Sequence, residues 1–339
     1  MHALSLVVPG LLGPLPDTTA LPTPVALLTL LARAEARDAA AADVESLLLR
    51  LFGIAPTPES DPPVAALAWL GEGDGVADGY WLRADPVHLR ADQACLLLFG
   101  PRVLDVRMDE ARTLAAEFNA VYGVDGWRLE TPHPQRWYLR LGDDPKIRTQ
   151  ALQAVIGRNI DGFLPRGENG KRWHGVLNEI QMLFHASVVN QTREAQGRLE
   201  IKSVWFWGGG ALPAVKSQTW TSVCSDAPLA RGLARTAGVE FATIPHDVAA
   251  WLGEAGAGSR LVVLSLLQEP ALYGDVDAWC AALTVLERDW FGPVLNALKA
   301  GRLDQLTLYS GDGRAFVVSR ADLWRFWRQR RELDWYLRT

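Results

Sequence analysis

From residue 201 onward the sequence alternates apolar strands with helices, and this alternation is the feature that most restricts the possible folds. Predicted strands cover residues 203–207, 261–267, 306–309 and 315–318, and predicted helices cover 226–237, 276–298 and a final segment that begins at Ser319. A further apolar strand covers residues 3–8. Strands that alternate with helices form a mostly parallel sheet covered on both faces. The predicted fold class is therefore α/β, with a doubly wound sheet.

Residues 71–199 differ in character from the segments on either side. Glycine and aspartate are concentrated in residues 71–79, and short strands then surround an amphipathic helix at 109–122, a pattern typical of a small α+β domain. A chain of 339 residues also exceeds the usual size of one domain. We therefore predict a core made of residues 1–70 and 200–339, with residues 71–199 inserted as a second domain. Helices are predicted at 25–37 and 43–52, the latter with Asp43 as its N-cap.

Composition excludes several classes of function. The net charge of −5 argues against nucleic-acid binding and against binding to a membrane surface. The apolar stretches are too short to span a bilayer, and the N-terminal residues lack a signal-peptide pattern. Three widely spaced cysteines without a CxxC motif indicate reduced thiols. We expect a cytoplasmic protein with no nucleic-acid partner and no membrane association.

Tryptophan is unusually frequent, with 14 residues, and arginine is concentrated near the C-terminus. The tryptophans fit either a large core or a surface that binds a protein partner. Four arginines lie close to two of these tryptophans in one stretch: Arg325, Arg328, Arg330 and Arg331 beside Trp324 and Trp327. Ser319-x-x-Asp322 is a capping-box pattern, so we predict an amphipathic terminal helix here.

Two neighbouring segments resemble a known enzyme family. Asn190 and Arg193 lie in Val188-Val-Asn-Gln-Thr-Arg-Glu-Ala-Gln-Gly197, which is followed by the apolar strand Ser203-Val-Trp-Phe-Trp-Gly-Gly-Gly210. This unit is similar to a helix end and strand of the archaeal-type cofactor-independent phosphoglycerate mutases. Further motifs of the same family resemble residues 23–37, 67–71 and 236–240. The resemblance implies an alkaline-phosphatase-like core, in which Asp and His at strand ends hold two metal ions for phosphoryl transfer.

The metal ligands of that family are missing from the matching positions. Pro9 follows the first strand where the family has Asp, Gln268 and Glu269 follow the strand at 261–267, and Ser310 follows the strand at 306–309. Asp312 and Glu269 are possible remnants, but two isolated carboxylates cannot hold two divalent ions. We therefore expect no metal and no cofactor. Ser60 lies near the position of the family's nucleophile and is the single candidate catalytic residue.

A site for an anion is predicted from the residues that the resemblance retains. Its members are Asn190, Arg193, Trp207 and Gly208 on the core, facing Arg83, Asp85 and His88 on the insertion. Arg193 offers a donor fork for a phosphate or carboxylate, but it also fits a cap at the end of its own helix. Residues 208–210 fit either a tight turn or an anion-binding loop, and the charged residues at 83–92 fit either a binding face or a protected strand edge.

Together these features predict a degenerate bacterial relative of the phosphoglycerate mutases that is not an enzyme. We expect it to bind a small phosphorylated or carboxylate ligand, or a protein partner, in a regulatory role. The alternative is a metal-dependent phosphomutase or phosphatase with an altered metal site. An interaction scaffold that uses exposed tryptophans is a third possibility.

Overall fold

The computed structural model describes residues 2–18, 21–41, 43–57, 60–73, 75–92, 95–215, 219–254 and 258–338. The chain forms two compact units. The first unit combines Met1–Ile54 with Val215–Thr339, and the second unit is Ala55–Ala214.

The strands are β1 (His2–Val7), β2 (Glu35–Asp38), β3 (Tyr80–Asp92), β4 (Cys95–Phe99), β5 (Arg128–His133), β6 (Arg136–Leu141), β7 (Ser203–Gly210), β8 (Ser222–Ser225), β9 (Glu240–Ala242), β10 (Gly258–Val263), β11 (Gln305–Tyr309) and β12 (Arg314–Ser319). The helices are α1 (Val25–Arg33), α2 (Val44–Leu51), α3 (Val64–Glu72), α4 (Pro101–Leu104), α5 (Met108–Tyr122), α6 (Gly170–Ala186), α7 (Val188–Ala195), α8 (Pro228–Ala237), α9 (Val248–Glu254), α10 (Gln268–Tyr273), α11 (Val276–Leu286), α12 (Gly292–Ala300) and α13 (Leu333–Arg338). None of these helices is both long and apolar enough to cross a membrane.

The first unit is built on a seven-stranded sheet with the order β2-β12-β11-β1-β10-β8-β9. Strand β1 lies between β10 and β11 and is parallel to both, so that Val7 pairs with Val263 on one side and Tyr309 on the other. Strands β8 and β9 extend the parallel part, whereas β12 and β2 are antiparallel. The apolar β1 is thus a central strand, as its sequence predicts.

Both faces of this sheet are covered. Leu4 and Leu6 of β1 pack in one core cluster with apolar residues of α1, α11 and α12. Val7 points to the opposite face and is fully buried, and on that side α8 packs on β8 and α2 packs on α8. The predicted α/β class with a doubly wound, mostly parallel sheet is therefore confirmed.

The second unit contains an antiparallel sheet of β4, β3, β6 and β5, in which β7 also pairs with β3. The long β3 changes partners along its length, pairing with β6 over Tyr80–Arg83 and with β4 over His88–Asp92. Pro86, which has no N–H group, falls between these two paired segments.

The two faces of this sheet carry different residues. Leu82, Leu139 and Phe206 contribute to one core cluster, which also contains apolar residues of α5 and α6. Alternate residues face the other way, where α3 packs on β3 and β7. On that side Trp69 of α3 stacks on Trp81 at a centroid distance of 4.6 Å. The predicted α+β character of the inserted part is present.

Strand β7 belongs to a different sheet from the one that the sequence pattern indicates. Its apolar run is typical of a parallel core strand, but it pairs antiparallel with β3, with Phe206 opposite Ala84. Residues 200–214 and 55–70 therefore lie in the second unit, and the unit boundaries fall at 54/55 and 214/215 instead of 70/71 and 199/200. The pairing partner, which a strand's own residues do not encode, causes this difference.

Helix α1 also ends earlier than its sequence predicts. Residues 35–38 form an edge strand paired with β12, and all four are exposed. Their side chains therefore carry no alternating apolar signal that would predict a strand.

The segment after Ser319, for which the sequence predicts a helix, is a third difference. The capping-box contacts form, since Ser319 N donates to Asp322 at 2.9 Å and Asp322 N donates to Ser319 Oγ at 3.4 Å. A 3₁₀ turn, Ala321–Trp324, follows, and the terminal α-helix α13 begins only at Leu333. Arg33 donates to the carbonyl oxygens of Arg325 and Arg328. The Arg325 carbonyl also accepts from Arg328 N at 3.0 Å, which is a turn bond and not the i→i+4 bond of an α-helix.

Candidate functional site

The carboxyl ends of the parallel strands define the first region in which a site is expected. In open α/β sheets, ligands bind outside the carboxyl ends of the strands. Here β1, β8, β10 and β11 end at the same edge of the first unit's sheet because they are parallel. The residues that follow them are Pro9–Gly10, Asp226, Leu264–Ser265 and Ser310–Asp312.

The turn after β1 is closely packed by the protein itself. Gly10 has a φ of +79°, and a Cβ atom there would lie 2.6 Å from the carbonyl oxygen of Leu267. Trp279 Nε1 donates to the Gly10 carbonyl oxygen at 2.8 Å. The glycine is thus required by the conformation and by the close approach of the segment after β10.

The segment after β11 pairs its carboxylate with a guanidinium group. Arg314 Nε donates to Asp312 Oδ2 at 2.8 Å, and Ser310 Oγ also donates to this carboxylate. Burial alone would raise the pKa of Asp312, but the hydrogen bonds from Arg314 and Ser310 outweigh it and lower the pKa. Arg314 also donates to the carbonyl oxygens of Tyr336, at 2.7 Å, and Leu12, at 3.3 Å. Asp312 is therefore ionised and neutralised by the protein's own cation.

The remaining carboxylates at this edge are dispersed. Asp226 receives a 3.5 Å contact from Ser265 Oγ, and Glu269 is exposed in the first turn of α10. Across the described parts of the chain, no group of three or more His, Cys, Asp or Glu side chains is arranged to hold a metal ion. These residues do not fit the two-metal centre that the resemblance implies, since such a centre needs several carboxylates together.

Three of the residues predicted to bind an anion meet in the second unit. Asp85 accepts from Arg83 Nη2 at 2.5 Å and from Trp207 Nε1 at 2.8 Å. The Arg83 guanidinium also lies 5.2 Å from the Trp207 ring centroid. All three side chains are buried. Burial alone would lower the pKa of Arg83, because it disfavours the charged guanidinium. The neighbouring Asp85 carboxylate has the opposite effect, and the net result is a raised pKa.

A neighbouring set of polar residues extends this group and was not predicted from the sequence. Glu72 of α3 accepts from Arg136 Nε at 2.6 Å and from the Tyr138 hydroxyl at 2.9 Å. The Arg83 guanidinium lies 4.8 Å from the Tyr138 ring centroid, which connects the two sets. The available signal was period-two spacing, since Arg83 and Asp85 on β3, like Arg136 and Tyr138 on β6, are two residues apart and share a face.

These polar groups satisfy one another. Burial would raise the pKa of Glu72, yet the hydrogen bonds from Arg136 and Tyr138 lower it. Burial raises the pKa of Tyr138. Burial lowers the pKa of His133, and the positive charge of Arg136 lowers it further. A buried network of matched donors and acceptors positions α3 on the sheet.

The three consecutive glycines at the end of β7 are explained by close packing. Gly208 has a φ of +63°, and a Cβ atom there would lie 3.0 Å from Val64 Cβ. A Cβ atom on Gly210 would lie 2.5 Å from Pro63 Cβ. The glycines allow β7 to approach the start of α3. They belong to the strand and form neither the tight turn nor the anion-binding loop that their sequence suggests.

Asn190 and Arg193 are placed elsewhere in the second unit, on α7. Arg193 is completely buried and donates to Glu110 Oε2 at 2.7 Å, to the Leu199 carbonyl at 2.7 Å and to the Leu104 carbonyl. Asn190 Nδ2 donates to the carbonyl oxygens of Phe184 and Ile201. The hydrogen-bonding groups of both residues thus hold neighbouring segments together. Arg193 therefore does more than the predicted cap on its own helix would do, since its hydrogen bonds join α7 to Glu110 and Leu104.

The last two predicted residues lie apart from these groups. His88 Nδ1 lies 2.9 Å from the Glu200 carbonyl oxygen, and burial lowers the pKa of this histidine. Ser60 is exposed, and its hydroxyl contacts that of Thr57. The adjacent Asp61 is buried and accepts from Thr149 N at 3.0 Å. No described contact of Ser60 supplies the general base that would activate a nucleophile.

A solved structure shares the fold of this chain. The fold is shared with the PH0037 protein from Pyrococcus horikoshii, with a TM-score of 0.57 over 94% of this chain and 87% of that one, at 13% sequence identity. No known protein-family model matches the chain. The protein is thus an α/β protein with an inserted antiparallel unit, and it shares this fold with the Pyrococcus horikoshii protein.

Sequence relatives then indicate the family. The chain is 24% identical over 179 residues to the 2,3-bisphosphoglycerate-independent phosphoglycerate mutase of Methanosarcina acetivorans, covering 49% of this chain and 45% of that protein. It is 23% identical over 165 residues to a probable enzyme of the same name from Geobacter sulfurreducens, covering 47% and 41% respectively. The match thus spans less than half the length of these curated relatives. The chain is a distant, phosphoglycerate-mutase-like relative of these proteins, as its motifs predict.

Proposed function

We propose that this protein is a non-catalytic relative of the phosphoglycerate mutases that acts in regulation by binding a small anionic ligand in the bacterial cytoplasm. The observation that carries the proposal is the Asp312–Arg314 ion pair at the carboxyl edge of the sheet. In the resemblance this strand end supplies ligands to divalent cations. Here a guanidinium already neutralises its carboxylate.

Two further features support the proposal. The turn at Gly10 is packed against the segment around Leu267, so the end of β1 presents the Pro9 ring where the family has a carboxylate. The three cysteines are free thiols, as suits a reducing compartment. Binding without turnover needs neither a nucleophile nor a metal.

Activity and metal content test the proposal directly. The purified 339-residue protein is dialysed against Mn²⁺, its metal content is measured, and it is assayed for conversion of 3-phosphoglycerate to 2-phosphoglycerate and for hydrolysis of p-nitrophenyl phosphate. The Methanosarcina acetivorans mutase serves as the positive control. We expect no stoichiometric metal and no turnover above the buffer rate.

A metal-dependent turnover would contradict the proposal. If Asp312→Asn removed that turnover, the alternative, a phosphomutase or phosphatase with an altered metal site, would replace it. In a non-catalytic protein the same substitution has no turnover to remove, and it should lower stability because it breaks the ion pair with Arg314.

A further inference from the structure

A cavity in the first unit lies beside the carboxyl edge and shares Arg314 with it. Its volume is about 530 Å³, within the range of small-molecule sites. The apolar floor consists of residues of α1 and the segment after it, including Leu31, Ala32 and Ala34. Phe316 of β12 and Tyr336 of α13 also line it.

Aromatic side chains line the open side of the cavity. Trp327 and Trp335 line it and are 68% and 47% exposed, respectively. Trp335 packs edge-on against Tyr336 at a centroid distance of 4.9 Å, so its ring is held in place. Exposed indole rings at the mouth of a cavity are suited to stacking on a planar ring.

Two further arginines line the same cavity. Arg328 is oriented by a 2.8 Å hydrogen bond from its Nη1 to the Ala34 carbonyl, and the Arg331 guanidinium lies 5.6 Å from the Trp335 ring centroid. Arg314 is neutralised by Asp312, but no carboxylate in the described ranges lies within ion-pair distance of Arg328 or Arg331. The cavity therefore combines stacking surfaces with two positive charges that the described residues leave without a paired carboxylate.

We propose that this cavity binds a nucleoside phosphate, with its base against Trp327 or Trp335 and its phosphates at Arg328 and Arg331. Planar guanidinium groups recognise phosphate oxygens through paired donors. The inference deepens the proposed binding function, on which it rests, by naming the ligand class. A ligand with one carboxylate and no ring would use only part of this lining.

The same segment also exposes residues outside this cavity, and these provide matched controls. Trp324 is 76% exposed and does not line the cavity. Arg330 also does not line this cavity, but lines a neighbouring one of about 520 Å³. A protein partner on a broad aromatic and basic surface would use these residues as well, whereas a nucleoside phosphate in the cavity would not.

Calorimetric titration of the 339-residue protein tests the proposal with three probes: ATP, tripolyphosphate and adenosine. We expect ATP to bind saturably and at least about tenfold more tightly than tripolyphosphate or adenosine, because only ATP has both the ring and the charges. Trp327→Ala and Arg331→Gln should each weaken ATP binding by about tenfold. Trp324→Ala and Arg330→Gln should change it by less than about twofold.

Three results would overturn the inference. ATP could fail to saturate at millimolar concentration, or tripolyphosphate could bind as tightly as ATP, which would reduce the site to a charge effect. The control variants could lose as much affinity as the cavity variants, which would indicate a protein-binding surface. Thermal melts of each variant identify any loss due to misfolding, and the mutase assay reports on the proposed function separately.

Discussion

Arg193 shows how the environment of a single residue determines its role. Its guanidinium is completely buried and joins α7 to Glu110 and to the carbonyl oxygens of Leu104 and Leu199. Arg193→Ala would leave the Glu110 carboxylate and two carbonyl groups short of donors. We expect a loss of about 3–5 kcal/mol in the free energy of unfolding, measured by urea denaturation.

Arg198 provides the comparison for this prediction. It also pairs with Glu110, at 2.7 Å, but 23% of its side chain is exposed. Arg198→Ala should therefore cost less than Arg193→Ala, because water can solvate the groups that lose their partner. Equal losses would contradict the expected dependence on burial, and a loss below about 1 kcal/mol for Arg193→Ala would show that Arg193 has no such structural role.

Glu72 makes the stability of the second unit depend on pH. Burial would raise its pKa, but Arg136 and Tyr138 hold it below the reference value of 4.5. A carboxyl group with a lowered folded pKa contributes stability that is complete above its unfolded pKa and is lost as the pH falls through the folded pKa. Glu72→Gln should cost about 1–3 kcal/mol at pH 7, and the difference from wild type should shrink below about pH 4.5.

Glu130 is the matched control, since it pairs with Arg128, whose side chain is 65% exposed. Glu130→Gln should change stability by less than about 1 kcal/mol at any pH. The measurement is thermal or urea unfolding of the three proteins between pH 3 and pH 7. A difference between Glu72→Gln and wild type that stays constant over this range would contradict the prediction.

At the scale of elements, the turn after β1 combines two constraints on Gly10. Its φ of +79° is in the left-handed region, and a Cβ atom would collide with the segment around Leu267. Gly238, which ends α8 in the same unit, has a φ of +66° but nothing within 4 Å of such an atom. Gly238→Ala should cost about 1–2 kcal/mol from the backbone alone.

Gly10→Ala should cost more than Gly238→Ala, by about 1–3 kcal/mol, because the collision with a backbone carbonyl is added. Chemical denaturation of both variants measures the two free energies of unfolding. If the two losses were equal, the close packing of the β1 turn, which supports the non-catalytic proposal, would be in doubt.

At the scale of the whole molecule, the second unit is one continuous stretch of chain with its own core. Such a segment has what an independent domain needs. We expect a fragment of residues 55–214 to unfold cooperatively and to show near-ultraviolet circular dichroism from its packed tryptophans. Arg193→Ala should cost the fragment about as much stability as it costs the full chain. A fragment without a cooperative transition would contradict this expectation.

Local patterns in the sequence predicted the strands β1, β10, β11 and β12 of the first unit, but not its exposed edge strand β2. Apolar runs predicted β1 and β10, and the Asp43 cap is present, with its carboxylate accepting from Ser46 N at 2.7 Å. The motif around residues 190–210 also indicated the family. Hydrophobic periodicity and capping are properties of neighbouring residues, so one sequence contains them.

Tertiary structure decided which elements pair and what the charged residues do. The apolar β7 could join either sheet, and its pairing with β3 moved the unit boundaries. Arg193 and Arg331 both lie in polar stretches of the sequence. In the structure, Arg193 is buried among hydrogen-bond acceptors, whereas Arg331 lies at the mouth of a cavity. The role of a charged side chain depends on its desolvation and on partners distant in sequence, and both arise only when the chain has folded.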